Sequence, residues 1–130
     1  MIKLKANNSE DLKVVASLVQ DSILPIGDFA YFKAEKKVMF ALNRYCWENE
    51  TDKKRCNAVL TVLNVDSVQT KNIDVTDRKQ SLYVLDISEG EGEVVIAFAD
   101  NKSMKFSTES LDLSLVDVDD CWVVETTPSH

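Results

Sequence analysis

A chain of 130 residues carrying a formal net charge of −7, with 45% hydrophobic and 28% charged residues, fits one folded domain and no more. The negative balance and the dispersed placing of its fifteen Lys and Arg oppose nucleic-acid binding, and three Gly with two Pro exclude a linker-rich chain. No apolar run approaches bilayer length and MIKLKANNSEDLK lacks the apolar core of a leader, so a cytoplasmic protein without membrane contact is expected.

In chain order, residues 2–5 read as a short strand with Ile2 and Leu4 on one face. Asn8 or Ser9 then caps a helix: Asn8 with Asp11 resembles a capping box, Glu10 and Asp11 sit at the positive end, and Leu12, Val15, Ala16, Val19 and Ile23 recur at helical spacing. The helix is expected to reach about Asp21 and to lie on a sheet, and Pro25 and Gly27 end it. Residues 29–33 and 38–45 form a predicted hairpin across the polar turn AEKK. The second of these strands is apolar on both faces through Leu42, which places it centrally with both sides covered.

After the charged loop ENETDKKR, residues 57–63 and 65–71 alternate as two strands, with a bend or bulge marked by Asn64 and Asp66. A polar loop at 73–80 follows. Residues 82–87, 93–99, 102–107 and 111–116 then make a meander, turned by the glycines of EGEG and by Asp100-Asn101. Val94 to Ala99 is a second candidate for a central strand, and Met104 and Phe106 face inward. The fold class expected is α+β: an N-terminal helix packed on a mainly antiparallel β roll or two-layer sandwich of eight or nine strands. A pleckstrin-homology-like barrel is the runner-up, opposed by a helix that precedes the strands.

Familiar catalytic patterns are missing. The only histidine is the terminal His130, and neither GxxxxGK[ST] nor GxGxxG occurs, so no cofactor is indicated and an enzyme is the weaker reading. Cys46, Cys56 and Cys121 show no CxxC or Cys/His ligand spacing, which argues against structural zinc; Cys46 and Cys56 flank one loop and are a possible disulfide, with reduced thiols preferred. Asp117, Asp119 and Asp120 lack the glycine and distant glutamate of a calcium hand. No metal site is expected.

The chemically distinctive stretch is the strand end LNRYCWE. Arg44, Trp47 and Glu48, supported by Asn43 and Asp28, form the candidate binding site: Trp47 to bury area, Arg44 to grip a carboxylate or stack, Glu48 to orient Arg44. These residues point to a noncatalytic protein-interaction module with a protein partner. The alternative is a small-molecule or weakly catalytic site in the mouth of the β roll, and self-association through a sheet edge is a third possibility.

Taken together, DLKVVASLVQDSI, IGDFAYF, LNRYCWE, RCNAVLTV, the meander and the ending with Trp122 and PSH resemble a family of small alphaproteobacterial proteins, the domain of unknown function numbered twenty-nine forty-eight. Cys46 stands where an acidic residue is usual, and the loop at 72–80 is more lysine-rich than typical. The resemblance implies a cytoplasmic bacterial protein and assigns no activity or ligand.

Overall fold

The computed structural model describes residues 2–49, 51–118, 121–125 and 127–128. Its one α-helix, α1 (Ser9–Val19), begins where the capping residues place it: Asn8 is extended, and its Oδ1 accepts the Asp11 amide at 2.9 Å. Leu12, Val15, Ala16 and Val19 are buried, and α1 touches the sheet. The helix stops short of Asp21, which takes a left-handed φ of 62°. From there the chain hydrogen-bonds directly to a distant strand, the Asp21 amide to the Val84 carbonyl and the Val84 amide to the Ser22 carbonyl. Ile23, expected on the helical stripe, therefore belongs to a short strand that the periodicity did not reveal.

Eleven strands are found among the described residues, more than the eight or nine expected: β1 (Lys3–Ala6), β2 (Ile23–Pro25), β3 (Phe29–Phe32), β4 (Lys37–Tyr45), β5 (Lys54–Val62), β6 (Val65–Lys71), β7 (Ser81–Gly90), β8 (Glu93–Phe98), β9 (Lys102–Thr108), β10 (Leu113–Asp117) and β11 (Trp122–Val123). Every pairing is antiparallel, which with α1 makes an α+β protein. The sheet order is β1-β10-β5-β4-β2-β7-β8-β9-β6, with β3 beside β4 and β11 beside β5. The expected hairpin of β3 and β4 is present, turned by a 3-10 segment and by Lys36 at φ 54°. Asp100 and Asn101 both take positive φ, as a two-residue hairpin turn requires, and a register shift falls between Val65 and Ser67, at the predicted bulge.

β4 is central, but its second face is fully covered only at Tyr45. Val38, Phe40, Leu42 and Arg44 are buried, whereas Ala41 is exposed and Met39 and Asn43 are half-buried. Small or flexible apolar side chains at alternate positions gave a two-sided reading of a strand with one solvent-facing side. The buried face shares a single cluster with β8 and β9, and the Phe40 and Phe106 rings lie 5.7 Å apart. β4 and β9 stand four places apart along the sheet, roughly 19 Å if it were flat. Residues from both halves of the sheet thus contribute to one core.

Candidate functional site

At one end of β4 the inward face changes from apolar to charged. Arg44 has no exposed surface, and across the neighbouring β5 it meets Asp117, on β10. The register explains the reach. Leu42 pairs with Ala58, and Ala58 in turn pairs with Asp117, so a small side chain occupies the intervening strand between the two charges. Arg44 Nε and Nη2 donate to Asp117 at 2.8 Å each, and Nη1 and Nη2 donate to Glu48 at 2.9 and 2.7 Å. Four of the roughly five guanidinium N–H groups are thereby satisfied. Asp117 also accepts the Ile2 amide at 3.0 Å, tying β1 to the same group.

The protonation states follow from these contacts. Burial pushes the Asp117 carboxyl upward but is outweighed by the hydrogen bonds from Arg44 and the Ile2 amide, so its pKa falls below the ordinary value. For Glu48 the Arg44 hydrogen bonds are the largest cause of a lowered pKa. Arg44 is lowered by burial yet raised further by Asp117 and Glu48, and it remains charged at any working pH. An arginine so enclosed cannot grip an external carboxylate. Its guanidinium is engaged within the protein, as the cation that satisfies a buried aspartate.

The other expected site residues separate. Trp47 is 36% exposed, its ring meets Tyr45 edge-on at 4.6 Å, and its Nε1 donates to the Gln20 carbonyl at 2.8 Å, fastening the β4 exit to the end of α1. Asn43 faces away from Arg44 and accepts Arg55 Nη1 at 3.0 Å through its side-chain oxygen. Asp28 is exposed in the turn before β3, whose Phe29 pairs with Phe40, roughly 13 Å along the strand from Arg44. It takes no part in the cluster.

Two features escaped the sequence. Asp117 was grouped with Asp119 and Asp120, which lie outside the described residues; its real signal was the period of two through Leu113 and Leu115, which aims it inward, where a carboxylate needs a partner. Cys121 precedes Trp122, which pairs with Arg55, and so stands opposite Cys56. Those two form a disulfide, Cα atoms 4.4 Å apart, in place of the Cys46 and Cys56 pair weighed from spacing. Cys46 is free, buried, and 2.9 Å from the Cys56 sulfur. Burial raises its thiol pKa. His130 is also outside the described residues.

On the outer face, β2 joins the two halves: Ile23 pairs with Asn43 on one side and Tyr83 on the other. Ile23, Arg55, Tyr83 and Leu85 line a groove of about 460 Å³ there, and Leu85 sits at a register shift of β7. Tyr83 is 50% and Leu85 41% exposed. The Arg55 guanidinium lies 5.9 Å from the Tyr45 ring centre, which links the groove to Tyr45 and Trp47. A second groove of about 670 Å³ runs between α1 and β7.

No helix among the described residues is long and apolar enough to cross a membrane. A family model described as "Protein of unknown function (DUF2948)" matches residues 2–130. No curated protein matches, and no solved structure does. With a match over nearly its whole length, the chain belongs to the DUF2948 family.

Proposed function

We propose that this member of the DUF2948 family is a noncatalytic protein-interaction module of the cytoplasm, a single domain whose sheet curls into a roll and presents its outer face to a protein partner. The observation that carries the reading is the exposure of Tyr83 and Leu85, which with Arg55 line the 460 Å³ groove, with Trp47 joined to Arg55 through Tyr45. Aromatic and arginine side chains gathered in this way are the usual anchors of an interface. Trp47 and Tyr83 supply area, while Arg55, held by Asn43, offers a cation for a partner carboxylate. The hydrogen bonding of Arg44 to both Glu48 and Asp117 supports a noncatalytic role, since its donors are already engaged.

The test is capture from an extract of the source cell, comparing the wild type with a Tyr83→Ala, Leu85→Ser chain. Both positions are solvent-facing, so the fold is retained. A protein held by wild type, lost by the variant and rebinding in purified form supports the proposal. Equal retention by both chains removes this face, and a dimer by light scattering that the variant loses makes the partner a second copy.

The groove between α1 and β7 favours a second reading, a small-molecule site. Its 670 Å³ lies within the range of ligand pockets, and Leu12, Ala16 and Ile87 mix there with Ser9 and Ser17. A metabolite that raises the melting temperature of wild type but not of an Ala16→Phe chain would establish it.

A further inference from the structure

Cys46 and Cys56, ten residues apart at neighbouring strands, converge with the distant Cys121. Cys56 occupies an inward position of β5, Cys121 returns beside it just before β11, and Cys46 follows the last residue of β4. The Cys46 sulfur lies 2.9 Å from that of Cys56 and 3.6 Å from that of Cys121, and all three ligand atoms fall within 4.8 Å of one another. One disulfide uses two of them. The third is a thiol held against a bond in which it has no share.

We infer that the reduced protein binds one thiophilic divalent cation of the zinc class on these three sulfurs, and that the Cys56 to Cys121 disulfide is the closed, metal-free form of the same site. Linear spacing gave no hint of this, because strand pairing, not a local motif, assembles the ligands. Zinc–sulfur bonds of about 2.3 Å set tetrahedral sulfurs roughly 3.8 Å apart, which the 3.6 Å between Cys46 and Cys121 nearly meets, while Cys56 moves outward from both once its disulfide is reduced. A dithiol reductant supplies two electrons and two protons, converting the disulfide to two thiols and itself becoming a disulfide. Binding then forms three metal–sulfur bonds and releases one proton from each cysteine.

Charge decides which cation fits. Around Cys46, Arg44 and Lys54 offset Glu48 and Asp117, so the surroundings add no net charge. Three thiolates with a divalent ion leave one negative charge, and with a monovalent ion two, beside two sulfurs that are buried. The divalent ion is favoured. Cys121 is only half-buried, giving an entry side and a fourth position for solvent or an exchangeable ligand.

The experiment is an anaerobic titration with Cd²⁺ of the full chain, reduced with dithiothreitol and freed of the reductant. Thiolate-to-cadmium absorption should saturate at one equivalent, and a chain loaded first with one equivalent of Zn²⁺ should develop the same absorption as Cd²⁺ displaces the zinc. Cys46→Ser, which leaves the disulfide pair intact, should weaken Cd²⁺ binding by about tenfold or more and cut the absorption by about a third. The oxidised protein should take up none. The inference is overturned by failure to saturate at one equivalent, by Cys46→Ser titrating like wild type, or by equal uptake in the oxidised chain. Circular dichroism verifies folding, and Cys121→Ser gives the same readout should Cys46→Ser not fold.

Discussion

Arg44 and Asp117 stand 73 residues apart in the chain and meet in two hydrogen bonds of 2.8 Å beneath a surface that hides both. Removing Asp117 leaves Arg44 charged and buried with only the partly exposed Glu48 to pair it. Asp117→Ala should destabilise the protein by about 3–5 kcal/mol, read as a lower urea midpoint. Glu48→Gln should cost about 1 kcal/mol or less, because Glu48 is 38% exposed and solvent screens the pair. Equal costs for the two would contradict the burial argument.

The same triad sets an acid limit. Asp117 and Glu48 have folded-state pKa values below their ordinary 3.8 and 4.5. A depressed carboxylate contributes stability that is present above its unfolded value and lost as pH falls through its folded value. Stability should therefore hold at neutral pH and decline below about pH 4, and an Asp117→Asn chain should show a shallower decline. Arg44, raised above its ordinary value, titrates outside this window. Thermal melts at stepped pH would show the slopes.

Trp47 offers a separable contact. Trp47→Phe keeps an aromatic ring against Tyr45 but deletes the donor to the Gln20 carbonyl. The expected loss is about 0.5–1.5 kcal/mol, with faster amide exchange in the last turn of α1 and little change elsewhere. Uniform acceleration across the sheet would show that Trp47 supports the whole core.

At the opposite end of the helix, Asn8→Ala removes the acceptor for the Asp11 amide and should cost about 1 kcal/mol. Asn8→Asp retains an acceptor there and should cost less. Equilibrium unfolding of both variants gives the comparison.

What the sequence disclosed was local. The Asn8 cap, the Asp100-Asn101 turn and the inward positions of Met104 and Phe106 each depend on residues a few places apart, and each lies where expected. β2 escaped notice because three residues are too few for a period, and because Ile23 happened to continue the helical spacing from Val19. The candidate site was read along one strand, whereas its partners came from across the sheet. Arg44 stands out in the sequence, but its inward direction and the distant carboxylate that meets it are properties of register and of the small Ala58 between them.

β2 pairs Ile23 with Tyr83, closing a loop of some sixty residues, while β7, β8 and β9 are joined by turns of a few. Contacts with so unequal a chain-closure cost should form at different times, the meander early and the β2 bridge after the main barrier. Leu24→Ala, at a fully buried position of β2, should then accelerate unfolding while leaving the refolding rate almost unchanged. Slowed refolding would place the bridge in the nucleus instead. In the expected case the two halves of the sheet are formed separately, and a strand of three residues is the clasp that fastens them last.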